Sequence, residues 1–225
     1  FAFGAAMSRG GNERSMVASI EFIERIIECF EKAARINREN PDRDGNVVVL
    51  RPDSAAEVMI TGDLHGHRHN FNAIRRIADL RNNPRRHLIL QEVCHGGPIY
   101  PANGGCMSHT LLEDVARTVT EFPGRVHFLL GNHELAELTD YPIQKNGQML
   151  NLLFRLGLQQ AYGPAADKVR EASFAFIQSS PLAVRLPGGV FCSHSIPQGS
   201  DTSPFDVSVF QRELELADFH GRGPI

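Results

Sequence analysis

The 225-residue chain contains no tryptophan, only four cysteines and no long apolar run. Its cysteines, Cys29, Cys94, Cys106 and Cys192, are widely scattered. Small secreted domains that depend on disulfides carry a dense cysteine framework, which is missing here. We therefore expect reduced thiols in a cytoplasmic protein.

Membrane and nucleic-acid partners are not expected either. No apolar stretch approaches the roughly 20 residues that a membrane-spanning helix needs. The first residues, Phe1 to Met7, are too few for a signal peptide and lack its basic start, so we exclude them from the predicted fold. The formal net charge is −3, which gives no general attraction to nucleic acid or to a membrane surface. With 42% hydrophobic and 22% charged residues, the composition is that of an ordinary globular protein.

The hydrophobic pattern predicts an α/β fold in which strands and helices alternate. From Glu13 to about Glu39, apolar residues recur at helical spacing, which predicts a long amphipathic helix packed on the rest of the protein. A turn cluster follows at 40–45, so we divide the chain into an N-terminal segment, residues 1–45, and a domain of residues 46–225. Strands are predicted at 47–50, 58–61, 87–90, 125–130, 182–186 and 189–193, and further helices at 70–80, 110–121, 148–160, 168–178 and 207–217.

Residues that bind metals follow several of these strands. The stretch 60–67 reads ITGDLHGH, and Asp63 and His65 lie two residues apart on the loop where the strand ends. A carboxylate beside an imidazole suits a divalent metal. Three further strand ends carry the same residue types: Glu92, Asn132 with His133, and His194. Parallel neighbours in one sheet would bring such ends to one edge, where two metals about 3.5–4 Å apart can activate water for attack on phosphorus.

The order of these motifs resembles that of the calcineurin-like metallophosphoesterases, and most closely the phosphoprotein-phosphatase branch. The resemblance spans about Val58 to Pro197, and it depends on GDLHG at 62–66, GNHE at 131–134 and a histidine after an apolar strand. It implies an α/β/β/α sandwich of two sheets flanked by helices, with a binuclear metal centre at the strand ends.

The resemblance also implies a role for each of these residues. Asp63 and His65 would hold the first metal, and Glu92 would bridge the two metals. Asn132 and His194 would hold the second metal, and His133 would protonate the leaving alcohol. His95 occupies the position of the partner that orients His133 in the catalytic pair. Asn132, His67 and Arg68 are the candidate substrate contacts.

Outside a metal site, each of these side chains has an ordinary structural explanation. The alternatives are loop histidines at positions 65 and 133, a turn residue at Asn132, a loop acid at Glu92 and a buried core histidine at His194. The combination of motifs favours the functional roles. A separate zinc site is a further alternative, although its spacing is not a standard one. Its ligands would be Cys94, His95, Cys106 and His109.

The second motif departs from the family pattern. Family members read roughly Gly-Asp-x-x-Asp-Arg-Gly, whereas residues 91–97 read QEVCHGG. The bridging aspartate is Glu92, whose extra methylene moves the carboxylate outward by more than an ångström unless the backbone retreats. The aspartate that would orient the catalytic imidazole is His95, and a second imidazole does not raise the pKa of His133 as a carboxylate would. The arginine that would clamp phosphate is Gly96.

The end of the sequence also differs. Ser195 and Ile196 follow His194 where the family has two glycines. The last metal-ligating histidine and a second phosphate-binding arginine of the family normally lie beyond position 225, so the fold is expected to lack its C-terminal strands. His220 is the residue of this chain that could take the place of that histidine.

These residues predict a phosphoesterase that needs two divalent metals, manganese, iron or zinc. Phosphomonoesters, either small molecules or phosphoproteins, are the expected substrates, attacked by a metal-activated hydroxide. The loop from Gly97 to His109 would lie over the site and help to select among them. The first alternative is a phosphodiesterase or dinucleotide polyphosphate hydrolase, because the arginine clamp is missing. The second is a catalytically weakened scaffold that still binds metal.

Overall fold

A computed structural model describes residues 19–195 and 205–219. Its α-helices are α1 (Ile20–Arg38), α2 (Arg68–Ala78), α3 (Ser108–Glu121), α4 (Asn132–Thr139), α5 (Leu150–Tyr162) and α6 (Ala166–Gln178). Its strands are β1 (Arg43–Asp44), β2 (Val47–Val49), β3 (Glu57–Asp63), β4 (Arg86–Gln91), β5 (Val126–Leu129), β6 (Gln144–Lys145), β7 (Gln148–Met149), β8 (Ala183–Arg185) and β9 (Phe191–Ser193). Within these residues, no helix is both long and apolar enough to cross a bilayer.

The strands form two main sheets and a small hairpin. Strands β3, β4 and β5 form a parallel sheet in that order. The second sheet has the order β1-β2-β8-β9, in which only the β2–β8 pair is parallel. The hairpin consists of β6 and β7. This arrangement confirms the predicted α/β class with two sheets and flanking helices.

The central strand β4 shows why the parallel sheet is buried on both faces. Its residues Leu88 and Leu90 are fully buried in the main core, which is formed largely with the helices. Ile89 points the other way and contacts Val48 and Val184 of the second sheet in a smaller core. Side chains alternate between faces along a strand, so a continuous apolar run serves both cores.

Helix α1 packs against α3 and α6. Ser19 precedes the helix as its N-cap, and its hydroxyl accepts a hydrogen bond from the amide of Phe22. The predicted packing of this helix on the rest of the protein is therefore confirmed. The predicted helix began at Glu13, but residues 13–18 lie outside the described part of the chain. The division into segments 1–45 and 46–225 stays a prediction.

Two local predictions were wrong. Residues 132–139 were assigned no helix, yet α4 begins directly after Gly131. The helix predicted at 207–217 is instead two short 3-10 helices, Val207–Phe210 and Leu216–Phe219. Side-chain hydrogen bonds replace helical ones here, because Asp206 accepts from the amide of Ser208 and Asp218 accepts from the amide of Glu215.

Two buried histidines lie on the parallel sheet, away from the carboxyl ends of its strands. Nδ1 of His87 lies 3.0 Å from Nε2 of His127, and the rings stack. Burial, and then the charge that His87 would carry, lower the pKa of His127 to about 3. Because this folded-state pKa lies below the unfolded value of 6.5, His127 stays neutral in the native protein over a pH range in which the unfolded chain would protonate it.

We expect His127 to destabilise the protein in acid. Its effect should be absent above about pH 6.5 and should grow as the pH falls toward 3, by at most about 1.4 kcal/mol per pH unit. Urea unfolding of the native protein and of His127→Gln at pH 7 and pH 4.5 would measure this. The variant should lose less stability between the two pH values. An equal loss in both proteins would contradict the assignment.

Candidate metal centre

Three of the predicted residues lie at one edge of the parallel sheet. Asp63 is the last residue of β3, Glu92 follows β4, and Asn132 opens the helix after β5. Carboxyl ends of neighbouring parallel strands meet at the same edge, which is the usual ligand-binding edge of α/β sheets. His194 comes from the other sheet, directly after β9. The convergence therefore needs the packing of two sheets and not one parallel sheet alone.

The structure brings five side chains into two overlapping groups of ligand atoms. One group contains His65, Glu92 and His133, and the other contains Asp63, Glu92 and His194. Within each group the ligand atoms all lie within 4.8 Å of one another. Glu92 belongs to both groups. Carboxylate oxygens with imidazole nitrogens are a donor set that manganese, iron and zinc accept, so these residues fit the two predicted cations. The grouping places Asp63 with His194, whereas the family pattern pairs it with His65.

Glu92 is the centre of this cluster. Its side chain is 4% exposed, with Oε2 2.6 Å from Nε2 of His194 and Oε1 3.3 Å from Nε2 of His133. Burial raises the pKa of Glu92, but the hydrogen bond from His194 and the surrounding imidazoles outweigh this, so the pKa lies below its ordinary value. The hydrogen bond with Glu92 in turn raises the pKa of His194. The site thus keeps Glu92 ionised, as a metal ligand must be.

The backbone of Glu92 adopts an unusual conformation to reach this position. Its φ of 46° lies in the left-handed region, which residues other than glycine rarely adopt. Its carbonyl accepts hydrogen bonds from the amides of Leu64 and His65, at 2.8 and 2.9 Å. These bonds join the β4 loop to the β3 loop. The local geometry that holds the longer side chain of Glu92 is therefore secured by the neighbouring motif.

Glu134 holds the next part of the same loop. Its buried carboxylate accepts hydrogen bonds from the amides of Val93 and Cys94, at 2.8 and 2.7 Å. Burial raises the pKa of this carboxyl group despite the two bonds. A Cβ at Gly131 would lie 2.5 Å from Oε2 of Glu134, so a larger residue there would displace this carboxylate. Sequence reasoning gave Glu134 no role, although its place as the last letter of the GNHE motif was the available signal.

The absence of arginine at position 96 has a steric explanation. Gly96 has a φ of 101°, and a Cβ there would lie 3.0 Å from the carbonyl oxygen of His65. At Gly97 a Cβ would lie 2.6 Å from the carbonyl oxygen of Gly66. The two loops pack backbone against backbone, which only glycine permits. A side chain at position 96 would therefore strain this backbone and press against the loop that carries His65.

The ring of His133 is held by a histidine and, behind it, a carboxylate. Nδ1 of His133 lies 2.7 Å from Nδ1 of His95, and Nε2 of His95 lies 2.7 Å from Oε1 of Glu137. Burial lowers the pKa of His133 to about 4, against the opposing charge of Glu92. Sequence reasoning missed Glu137. It stands four residues after His133, which is one helical turn, but this spacing has meaning only once α4 is known.

Of the three candidate substrate contacts, one lies beside the ligand groups and two lie outside them. Oδ1 of Asn132 lies 2.9 Å from Nε2 of His194, so Asn132 adjoins the second group. His67 and Arg68 are exposed at the start of α2 and belong to neither group. Arg68 pairs through Nε with Asp114 of α3, at 2.6 Å, and this hydrogen bond raises its pKa. Its side chain is 52% exposed, which leaves the outer guanidinium nitrogens accessible.

The alternative zinc site is not formed among the described residues, because its four side chains make no group of converging ligand atoms. His109 is bonded to Glu113 and to the hydroxyl of Tyr100. Cys106 contacts the hydroxyl of Ser108, and burial raises the pKa of Cys94 well above its ordinary value. His220, the candidate replacement ligand, lies outside the described residues.

The fold and this edge define a class: a two-sheet α/β protein with a cluster of carboxylates and histidines at its strand ends. The sequence profile of the calcineurin-like phosphoesterases matches residues 56–220. The chain therefore belongs to that family, whose members are metal-dependent hydrolases of phosphoric esters.

Comparison with solved structures agrees on the fold. The chain is similar to a protein serine/threonine phosphatase from Saccharomyces cerevisiae with similarity to human phosphatase PP5, with a TM-score of 0.57 and 16% sequence identity. The match covers 85% of this chain and 53% of the yeast chain, so this chain spans about half the length of that structure. No curated protein sequence matches the chain significantly.

Proposed function

We propose that the protein hydrolyses phosphomonoesters with the help of two divalent cations. The observation that supports this most directly is the shared position of Glu92, whose two oxygens face different histidines, at 2.6 and 3.3 Å. A carboxylate in that position can belong to the shells of two ions at once. Two-metal phosphoesterases hold their ions about 3.5–4 Å apart, and a shared carboxylate would fix such a spacing.

Four side chains besides Glu92 would complete the two shells. Asp63 and His194, with Asn132 beside them, lie on one side of Glu92, and His65 lies on the other. When bound, such cations lower the pKa of a coordinated water and neutralise charge on the phosphoryl oxygens. The protein itself contributes the fixed arrangement of ligands, because the loops that carry Glu92 and His65 are bonded to each other.

His133 would supply the proton that the leaving oxygen needs. Its Nδ1 is occupied by His95, so Nε2 is the nitrogen that faces the cluster. The competing assignment makes His133 a metal ligand, since Nε2 lies in one group with His65 and Glu92 and the low pKa favours a neutral ring. We assign the proton-donor role because it agrees with the GNHE motif and leaves Asp63, His65, Asn132 and His194 for the ions.

The substrate would be held without an arginine clamp at position 96. His67 and Arg68 stand at the start of α2, where helical N–H groups favour a phosphate, and they are the proposed substrate contacts. Phosphorylated small molecules or phosphoproteins are the proposed partners. Location in the cytoplasm, proposed from the cysteine content, rests on the sequence alone.

Hydrolysis of p-nitrophenyl phosphate with added Mn²⁺ tests the function. We expect turnover that a chelator abolishes and that Asp63→Asn reduces to background. Asp53→Asn, an exposed aspartate on the turn before β3, is the matched control and should keep full activity. Equal turnover by the native protein and by Asp63→Asn would contradict the proposal.

A phosphodiesterase is the second candidate, and the glycine at position 96 is the observation that favours it. Without an arginine, the site has one cationic group fewer to bind a terminal phosphate dianion. Faster cleavage of bis(p-nitrophenyl) phosphate or of a dinucleoside polyphosphate than of the monoester would identify the protein as a phosphodiesterase. Binding of one ion or none per chain without any hydrolysis would instead identify a scaffold.

A further inference from the structure

Three side chains form a buried line behind the metal centre. Glu137 and His95 are 0% and 1% exposed at their side chains, and the carboxylate lies 2.7 Å from Nε2 of His95. The line continues through the 2.7 Å contact between the Nδ1 atoms of His95 and His133, and it ends at Nε2 of His133, 3.3 Å from Glu92. The other oxygen of Glu137 has no hydrogen-bond partner among the described residues. His95 is therefore the one group of the described chain that is bonded to this carboxylate.

The hydrogen-bond donors and acceptors along this line restrict where its protons can lie. A carboxylate only accepts hydrogen bonds, so we take Nε2 of His95 as the donor to Oε1 of Glu137. The two Nδ1 atoms then share a single proton, because two protons would clash and none would leave two lone pairs facing each other at 2.7 Å. Nε2 of His133 is the nitrogen that remains free to face the metal centre.

We propose that Glu137 and His95 are positioning residues that hold the His133 ring with Nε2 directed at the leaving group. Together they replace the single aspartate that the family places at position 95. The proposal rests on the proposed phosphatase function, since it assigns the orientation of that function's proton donor.

The geometry of the pair explains how a histidine at position 95 can take the place of the family's aspartate. An imidazole is longer than an aspartate side chain, so the carboxylate bonded to its far nitrogen lies farther from His133. Glu137 of α4 occupies that position. In the reaction, a hydroxide oxygen forms the new bond to phosphorus while the P–O bond to the leaving group breaks, and the electron pair of the broken bond stays on the leaving oxygen. That oxygen takes the proton from Nε2 of the doubly protonated His133 ring, which keeps the Nδ1 proton and ends neutral.

The test compares two phosphates that differ in leaving group. Nitrophenolate leaves without help, whereas the oxygen of phenyl phosphate needs a proton. Glu137→Gln keeps the shape of the side chain, but its amide can both donate and accept, so the ring of His95 loses its fixed orientation. We expect kcat for phenyl phosphate to fall about 10- to 100-fold, as for other residues that act through a catalytic group, with little change in KM. For p-nitrophenyl phosphate we expect less than about a threefold fall.

A second variant separates positioning from general stability. In His95→Asp the carboxylate adjoins His133 directly, so adding Glu137→Gln should cost no further activity. The matched control is Glu113→Gln, which alters another buried Glu–His pair, with His109 at 3.0 Å, away from the two ligand groups. It should lower the melting temperature and leave the ratio of the two kcat values unchanged. Equal losses on both phosphates, or the same loss in both residue-95 backgrounds, would overturn the proposal.

A readout without turnover distinguishes this inference from the function itself. ¹H–¹⁵N spectra of the histidine rings should show one orientation of the His133 hydrogen bond in the native protein and exchange between two in Glu137→Gln. If the native protein hydrolyses neither phosphate, the proposed function fails while the spectra still test the positioning. An unchanged His133 signal in Glu137→Gln would overturn the positioning role whatever the activity.

Discussion

Replacing Glu92 by glutamine should remove metal binding and lower kcat/KM for p-nitrophenyl phosphate by about 10²-fold or more. Glu92 belongs to both ligand groups, so the loss of its charge weakens both sites together. The half-buried His194 would also lose the carboxylate that lies 2.6 Å from it. Metal content measured by mass spectrometry should fall from two ions per chain to fewer than one.

Glu57→Gln is the control for this change. Glu57 lies at the opposite end of β3, pairs with Arg86 and has a side chain that is 61% exposed. The variant should bind two ions and retain its activity, because an exposed ion pair contributes little. Retention of both ions and of turnover by Glu92→Gln would show that Glu92 does not bridge them.

Replacing His133 by asparagine should lower kcat for phenyl phosphate by about 10²–10⁴-fold, the usual contribution of a positioned proton donor. The loss should be much smaller for p-nitrophenyl phosphate, whose leaving group needs no proton. Both ions should remain bound, since His133 is assigned no ligand role. Steady-state kinetics on the two substrates, together with metal analysis of the same sample, would measure this.

The metal content of His133→Asn decides between the two roles of this residue. Loss of one ion, with equal losses on both substrates, would identify His133 as a ligand in the group with His65 and Glu92. His69→Asn is the matched control. It alters an exposed histidine of α2 that belongs to neither group and should change neither the metal content nor the kinetics.

Much of the fold was predictable because its elements carry strong local patterns. The parallel strands and the helices around them were predicted to within a few residues, and the hairpin of β8 and β9 was predicted as such. Buried strands with continuous apolar runs and helices with one apolar face can be recognised from the sequence. The very short β1, β6 and β7 carry no such pattern and were not predicted.

Helix α4 was missed for a physical reason. Its eight residues follow directly on the strand-end motif, and Asn132, His133 and Glu134 resemble a polar loop. The side chains of these residues are directed to the site and the neighbouring loop, so helical amphipathicity is weak here. Without α4, Glu137 had no reason to be placed beside His95, and the line behind His133 could not be predicted.

The sequence by itself determined which residues are available for chemistry and that they follow strands, because those signals depend on neighbours along the chain. Only the tertiary structure decided how they combine. It placed Asp63 with His194 from a different sheet, put the Glu92 carboxylate between the two groups, and set Glu137 behind His95. Each of these contacts depends on how sheets and helices pack, and packing joins residues whose separation along the chain carries no periodic signal.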